Sequence, residues 1–231
     1  MDDKKWNREI KQDLYTFLSD YITENKKSKF EEVLRNRTRH VTVVLEDLYQ
    51  SHNASAVLRS CDCFGVQDVH IIENRNEFQP SKDVALGSSK WLNLYKYKQK
   101  EHNTKACFDA LRANAYKIYA TSPHKDDILL DNVPLDEKIA FVFGTELEGL
   151  SGTAMKEADH YVKIPMYGFT ESFNISVSAA ILLHSVTNRL RKSRLSWKLR
   201  DDELLDIKLD WARKVIRKCE VFEKQFLKQR G

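Results

Sequence analysis

The sequence has few of the residues that break, cross-link or anchor a chain. Its 231 residues include seven glycines, four prolines and four cysteines, with no repeat, low-complexity tract or interdomain linker. Cys61-Asp62-Cys63 has no second Cys or His pair at zinc spacing, so we expect reduced thiols and no metal. No apolar run approaches the roughly 18 residues that span a bilayer, and the charged N-terminus lacks a signal-peptide core. These absences predict a cytoplasmic protein with no membrane partner.

Charge is distributed unevenly along the chain. The formal net charge of +4 divides into +2 over residues 1–40, −5 over residues 41–185 and +7 over residues 186–231. A mildly acidic centre between basic ends indicates a small-molecule site in the middle and polyanion contacts from the ends. Solvated Lys-rich helix faces give the same pattern, so charge alone leaves nucleic acid as one of two interpretations.

Both ends of the chain have helical periodicity. Residues 7–22 place their apolar side chains on one face, and residues 28–36 predict a second short helix with Ser28 as N-cap. Residues 201–228 repeat apolar side chains by threes and fours and predict one further helix. Its apolar face requires a partner, either the core or another subunit.

The centre of the chain alternates strands and helices. Residues 40–45 and 69–72 are apolar, β-branched runs typical of buried strands, and residues 53–64 are helical. A strand, a helix and a strand in about 30 residues predict a βαβ unit and a parallel sheet. The remaining predicted elements are an edge strand at 91–97, a helix at 103–114, strands at 116–120, 138–143 and 161–164, a loop at 121–137 and a long helix at 174–190.

Four of the seven glycines lie between residues 139 and 184. Two loops in this stretch each follow a buried strand and open onto a helix, an arrangement that predicts a ligand cradle. No G-x-G-x-x-G follows the first strand, and no G-x-x-x-x-G-K-[ST] is present, which disfavours nicotinamide dehydrogenases and nucleoside triphosphatases.

Three polar clusters follow predicted strands. They are Asn53 with Arg59, residues 144–149 with Glu146, and residues 171–174. Ligands of open α/β sheets bind at the carboxyl ends of strands, so we expect these three clusters to converge.

Three segments resemble the motifs of the SPOUT superfamily of RNA methyltransferases, in the expected order over roughly residues 40–185. They read HNASAVLRSCDCFGVQDVHII, FVFGTELEGLS and IPMYGFTESFNISVSAAILL. The resemblance is greatest to the branch that methylates ribose 2′-hydroxyls, and the helical ends are similar to those of the tRNA (guanosine-18-2′-O)-methyltransferases.

The resemblance implies an α/β fold with a parallel sheet, helices on both faces and a C-terminal deep trefoil knot. It implies an N-terminal helical extension at residues 1–39, the methyltransferase domain at 40–190 and a basic C-terminal helical extension at 191–231. It also implies that S-adenosylmethionine lies bent in the knot loops of a homodimer whose active site draws on both subunits.

The motif loops suit the adenine of that cofactor, which needs an apolar slot and backbone hydrogen bonds. Gly144 and Gly149 permit positive φ and a close approach of backbone to ligand, although turns alone would also explain them. The candidate cofactor-binding residues are Phe143, Gly144, Thr145, Gly149, Ile164, Met166, Phe173 and Asn174.

In the family, the arginine of the first motif is placed at the substrate hydroxyl and is proposed to act as base; the matching residue is Arg59. A guanidinium holds its proton to a pKa above about 12, so a clamp on the neighbouring phosphate and on developing alkoxide charge is the alternative. The other candidate catalytic residues are Asn53, Glu146, Ser172 and Asn174. We expect Asn53 to orient Arg59 or the substrate, or to cap its helix. Glu146 is expected to hold Arg59 or the loops, or it is a solvated loop carboxylate. Ser172 and Asn174 match the polar pair of the third motif and are expected to contact Arg59, the cofactor loop or the RNA; the alternative for Ser172 is a cap of the last helix.

Basic residues supply candidate RNA contacts. Lys90, in a Lys-Trp segment that the family shares, and His52 are candidates for phosphate binding. The ends of the chain add Arg8, Lys11, Arg189, Arg191 and Arg194, together with Arg35, Arg37, Arg39 and Lys192. Each alone is as well explained as a solvated charge, but together they predict salt-sensitive binding of tRNA.

The sequence therefore predicts S-adenosylmethionine-dependent methylation of a ribose 2′-hydroxyl in tRNA, with guanosine 18 of the D-loop as the target. Ribosomal RNA or the tRNA wobble ribose are alternatives with the same chemistry. A catalytically silent RNA-binding module is disfavoured by the joint presence of the candidate catalytic residues. Base methylation would favour an acidic residue in place of Arg59.

Overall fold

The computed structural model describes residues 6–48, 50–79, 87–99, 102–122 and 128–230. Parts of the predicted loops at 74–90 and 121–137 therefore lie outside the described residues. The chain divides into an α/β unit over residues 38–197 and a helical unit, which contains the described residues up to Arg37 and from Lys198 onward.

The helical unit packs helices from the two ends of the chain. Its elements are α1 (Arg8–Ser19), α2 (Glu24–Leu34), α7 (Asp201–Val215) and α8 (Cys219–Arg230). Leu14 and Leu18 of α1 are fully buried, and Phe30 of α2 packs edge-on against Trp211 of α7. The apolar faces that the periodicity indicates at the two ends are thus buried within this unit.

Two helix boundaries in this unit differ from the prediction. Helix α2 begins at Glu24, and its N-cap is Thr23, whose hydroxyl accepts a hydrogen bond from the Lys26 amide; Ser28 is inside the helix. The single C-terminal helix is in fact two, because the extended backbone of Ile216 ends α7 at Val215, and Lys218, with a left-handed φ of 55°, directly precedes α8. No Gly or Pro marks this break in the sequence.

The strands of the α/β unit form one parallel sheet. They are β1 (Val41–Glu46), β2 (Asp68–Ile72), β3 (Asn93–Tyr97), β4 (Tyr116–Thr121), β5 (Ile128–Leu129), β6 (Lys138–Phe143) and β7 (His160–Lys163). Their order is β3-β2-β1-β6-β4-β7-β5, and every pairing is parallel. The α/β class, the parallel sheet and the edge position of β3 are confirmed. The two-residue strand β5 lies in a stretch that was predicted as loop.

Helices cover both faces of this sheet. They are α3 (Ser51–Phe64), α4 (Asn103–Ala113), α5 (Gly152–Glu157) and α6 (Ile175–Lys192), with 3-10 turns at Ser88–Trp91 and Leu130–Asn132. Val43 and Phe141 point into the core shared with α3 and α6, whereas Val44 and Val142 point into the core shared with α4 and α5. The alternation of strand side chains across the sheet thus builds two cores, which explains why the strands read as continuous apolar runs.

Candidate active site

A cavity of about 570 Å³ opens at the carboxyl ends of three neighbouring strands, β6, β4 and β7. Phe143, Thr121 and Val162 line it from those strand ends. The loop after β6, the segment after β7 and the start of α6 complete its wall. The strand-end position that the sequence predicts for a ligand cradle is therefore where the cavity lies.

All eight candidate cofactor-binding residues line this one cavity. Its apolar part also includes residues that the sequence did not single out, among them the buried Val162 and Leu182. Ser122 and Ser178 contribute hydroxyls that the sequence also did not single out. No periodicity marks these residues as site residues, because a strand end or a buried helix position looks the same with or without a ligand.

The loop from Thr145 to Leu150 forms one side of the cavity and is closed on itself. The amide of Thr145 donates to the carbonyl of Gly149 at 2.9 Å, and the amide of Gly149 donates back to Thr145 at 3.0 Å. Gly149 has a φ of +71°, as expected of a glycine required by a turn. Gly144 has no positive φ: a Cβ there would lie 2.1 Å from the Gly149 carbonyl oxygen, so the close approach it permits is to the chain itself.

Another part of the cavity wall is a segment whose backbone groups form no hydrogen bonds to other described residues. Within the described part of the chain, no amide or carbonyl between Ile164 and Phe173 takes part in a hydrogen bond. Ile164, Met166, Ser172 and Phe173 of this segment line the cavity. An apolar slot beside unused backbone donors and acceptors has the features that an adenine requires.

Asn174 joins the three polar clusters. Its side-chain NH₂ group donates to the side-chain Oδ1 of Asn53 at 3.1 Å and also to the carboxylate of Glu146. Its own side-chain Oδ1 accepts the backbone amide of Ser176 at 2.9 Å, which makes Asn174, and not Ser172, the N-cap of α6. The expected convergence of the clusters is thus present at this one side chain.

Asn53 does not cap α3. Helix α3 begins at Ser51 with Gln50 at the N-cap position, and the Asn53 side-chain amide donates to the Gln50 side chain. Gln50, which is not among the predicted site residues, therefore extends the polar network that links Asn53, Asn174 and Glu146.

Arg59 lies apart from this network within the chain. Its side chain is exposed and, among the described residues, forms no hydrogen bond or ion pair, whether with Glu146, Asn53 or Ser172. Arg59 lies six positions after Asn53, and at 100° per residue this places the two side chains about 120° apart around α3. One copy of the chain thus assembles the cavity and its polar rim without Arg59.

The basic candidates fall into two groups. His52, Lys90 and Arg194 are exposed, as are Arg35, Lys192 and Arg8, although the Arg8 guanidinium lies 3.6 Å from the Asp201 carboxylate. The second group is engaged within the fold. Arg189 donates to the carbonyls of Leu130 and Val133, Arg191 donates to the carbonyl of Phe64, and Lys11 pairs with Asp206 at 2.7 Å.

Of two further basic candidates, one is corrected by its burial and the other is engaged within the fold. Arg37 is 1% exposed and lies over the Trp211 ring, so it cannot grip RNA from the surface. Arg39 is held against Asp68 at 2.9 Å. Charge alone could not separate these two arginines from the solvated ones.

Two other classes of feature are not found among the described residues. No group of three or more His, Cys, Asp or Glu side chains is arranged to hold a metal ion there. None of the helices in that part of the chain has the length and apolar character that crossing a membrane requires.

Comparison with known proteins identifies the family to which the chain belongs. The model of the SpoU rRNA Methylase family matches residues 40–184, which contain all three motifs and the cavity. The chain belongs to this family. A similar curated member is the tRNA (guanosine(18)-2'-O)-methyltransferase of Borreliella burgdorferi, 46% identical over 206 residues, or 89% of this chain and 93% of that protein.

Solved structures of the SpoU family share the fold. The TrmH/SpoU tRNA modifying enzyme of A. aeolicus matches with a TM-score of 0.74 and 27% identity, over 84% of this chain and 98% of that one. The SpoU methyltransferase AviRb from Streptomyces viridochromogenes, solved in complex with the cofactor AdoMet, matches with a TM-score of 0.59 and 19% identity, over 71% and 62%.

Proposed function

We propose that this chain transfers a methyl group from S-adenosylmethionine to the ribose 2′-hydroxyl of guanosine 18 in the D-loop of tRNA. The observation that carries the proposal is the 46% identity to a tRNA (guanosine(18)-2'-O)-methyltransferase along 89% of the chain. This similarity reaches beyond residues 40–184 into the helical ends, where substrate-binding residues are expected.

The cavity supports S-adenosylmethionine as the methyl donor. Phe143, Ile164 and Leu182 offer apolar contacts for an adenine, and the backbone between Ile164 and Phe173 has free amides and carbonyls for its nitrogens. The bound sulfonium would supply an electrophilic methyl group. The residues of this chain then have to hold the ribose in line with that methyl and accommodate the proton of its hydroxyl.

Arg59 is the candidate for the hydroxyl side of the reaction. A guanidinium presents a planar fork that suits a phosphate, and its charge stabilises a developing alkoxide. We propose this clamp as its role, with the phosphate or a water molecule accepting the proton. Asn174, Asn53 and Glu146 hold the motif loops in register around the cavity.

A homodimer would bring Arg59 to a cavity. Arg59 is exposed and has no partner among the described residues of its own chain. Large apolar side chains are also exposed around the cavity, with Leu147 at 87% and Tyr167 at 97%. Exposed apolar clusters of this kind mark interaction sites. We propose that a second copy covers them and offers its Arg59 to the first.

Three finer features follow from the same proposal. The C-terminal half of residues 40–190, the proposed methyltransferase domain, would form the trefoil knot. The helical extensions at 1–39 and 191–231, with His52 and Lys90, would bind the tRNA backbone. The protein would act in the cytoplasm, where unmodified tRNA occurs.

Methyl transfer into two classes of RNA tests the proposal. The protein is incubated with S-adenosylmethionine labelled on its methyl group and with unmodified tRNA transcripts or ribosomal RNA. We expect label in tRNA and background counts in ribosomal RNA. The family description names ribosomal RNA, so label confined to ribosomal RNA would establish that second candidate and contradict the first.

A further inference from the structure

Two buried carboxylates lie at the end of β1, next to the cavity loop but outside the candidate site. Glu46 is 2% exposed and Asp47 is 3% exposed. Burial of a carboxylate is unfavourable unless its oxygens accept hydrogen bonds, so the donors around these two residues indicate what they stabilise.

Glu46 holds the C-terminal end of the loop. Its carboxylate accepts the backbone amide of Ser151 at 2.9 Å and the Ser151 hydroxyl at 2.8 Å. Ser151 directly follows the loop from Thr145 to Leu150 and is the N-cap of α5. The Thr104 hydroxyl of α4 donates to the same carboxylate at 2.5 Å.

Asp47 provides a second attachment through Arg75. Its carboxylate accepts the backbone amides of Asn74 at 2.7 Å and Arg75 at 2.8 Å, while its own φ is a left-handed 55°. The Arg75 guanidinium in turn lies 2.7 Å from the carboxylate of Glu148, inside the loop. A left-handed φ is uncommon for a residue other than glycine. Asp47, Arg75 and Glu148 thus form one connected path from the end of β1 to the loop.

Asn74 makes the two attachments a single network. Its backbone amide donates to Asp47, and its side-chain amide donates to the Thr104 hydroxyl at 2.9 Å. Within the loop itself, the paired amides of Thr145 and Gly149 fix its shape but not its place on the sheet. The two carboxylates therefore attach the C-terminal part of the loop to the end of β1, in addition to the pairing of β6 with β1 and the Asn174–Glu146 hydrogen bond.

We propose that Glu46 is a positioning residue for the methyl-donor cavity, with Asp47 and Arg75 as the second attachment of the same loop. The proposal rests on the proposed function, because it assigns the cavity to S-adenosylmethionine. Glu46 does not touch the donor; it sets the place of Gly144 to Leu150, which line the cavity.

Glu46→Gln tests this role. The amide has the size of the carboxylate but presents an NH₂ group to donors that need an acceptor. We expect faster hydrogen exchange at the amides of 145–151 and a rise of about 10-fold in the Kd for S-adenosylmethionine, measured by titration calorimetry. Tyr116→Phe is the matched control, since it removes a buried hydrogen bond to the Arg39 carbonyl at the opposite end of the sheet. Tyr116→Phe should lower the Tm but leave the hydrogen exchange at 145–151 and the Kd for S-adenosylmethionine unchanged.

The outcomes separate the two proposals. A wild-type chain that binds no S-adenosylmethionine overturns the proposed function and, with it, the role of Glu46. Wild-type binding together with an unchanged Kd in Glu46→Gln overturns the positioning role alone, as does an equal change in Tyr116→Phe. If Glu46→Gln does not fold, Arg75→Gln, which alters an exposed side chain, must still raise the Kd by roughly 2-fold or the proposal fails.

Discussion

At the scale of single residues, Asn174 and Arg59 have contrasting positions. Asn174 touches both other polar clusters and caps α6, so its role in assembling the site is visible in one chain. Arg59, for which we propose the clamp on the substrate, lies exposed on α3 without a partner in the described structure. Under the proposal, its partners come from the RNA and from a second copy of the chain.

Replacing Arg59 should affect the reaction rather than the fold. Arg59→Ala is expected to lower the single-turnover rate of methyl transfer on the order of 100- to 1000-fold, because it removes a charge aimed at a developing oxyanion. Arg59→Lys should also be strongly impaired, since it retains the charge and loses the fork. Thermal unfolding serves as the control and should be unchanged. A near-wild-type rate in Arg59→Lys would contradict both the clamp and the base.

A second residue-scale prediction concerns acid stability. The ring of His70 in β2 stacks near the rings of Tyr95 and Tyr97, and burial lowers the pKa of His70 from 6.5 to about 4. Below pH 6.5 the histidine is protonated in the unfolded chain, whereas in the folded chain it stays neutral until about pH 4. Stability should therefore fall by about 3 kcal/mol across this window, and His70→Phe should remove that part of the slope.

Urea unfolding at several pH values measures the slope. Tyr97→Phe is the comparison. It removes the hydroxyl that lies 3.0 Å from the His70 Nδ1 and keeps the aromatic ring that packs against His70, so the burial of His70 is retained. Its pH slope should stay close to that of the wild type. An equally steep slope in His70→Phe would show that other groups cause the acid sensitivity.

At the scale of elements, the loop after β6 requires a glycine at position 144 because there is no room for a Cβ, and not because of the φ angle. A Cβ at Gly144 would lie 2.1 Å from the Gly149 oxygen and 2.5 Å from the Leu150 nitrogen, both backbone atoms that cannot rotate away. Gly144→Ala should destabilise the protein by about 1–3 kcal/mol and weaken S-adenosylmethionine binding, because the loop has to shift.

Gly152→Ala is the control for this substitution. It changes a glycine in α5, where a Cβ would meet nothing within 4 Å, so the same measurements should show no loss. Thermal unfolding and titration calorimetry are sufficient for both variants. Wild-type stability in Gly144→Ala would mean that the loop has another conformation in solution.

The elements also show what sequence could and could not predict. Strands β1 and β6 were predictable because residues buried on both faces make the run almost continuously apolar. The break between α7 and α8 was not predictable, because neither the extended Ile216 nor the left-handed Lys218 has a local sequence signature, and β5 was missed because it has only two residues. For the site, the eight cofactor candidates share one cavity, but Glu46 and Asp47 look like any polar strand end until the fold brings Ser151 and Asn74 to them.

At the scale of the whole molecule, the central question is whether two copies share an active site. Subunit mixing addresses it with Arg59→Ala and Asn174→Ala, each expected to be inactive alone. If Arg59 acts on the cavity of the other copy, a mixed dimer contains one site with both residues intact. Mixing equal amounts after reversible dissociation should restore about a quarter of wild-type activity. No recovery would place Arg59 and Asn174 in the site of one chain.

The position of the methyl group tests the central claim most directly. Unmodified tRNA is incubated with the protein and S-adenosylmethionine, digested, and mapped by mass spectrometry, beside a matched tRNA with 2′-deoxyguanosine at position 18. We expect a single methyl group on the ribose of guanosine 18 and none on the tRNA with 2′-deoxyguanosine at that position. A methyl group on a base, at another nucleotide, or on the deoxy control would contradict it.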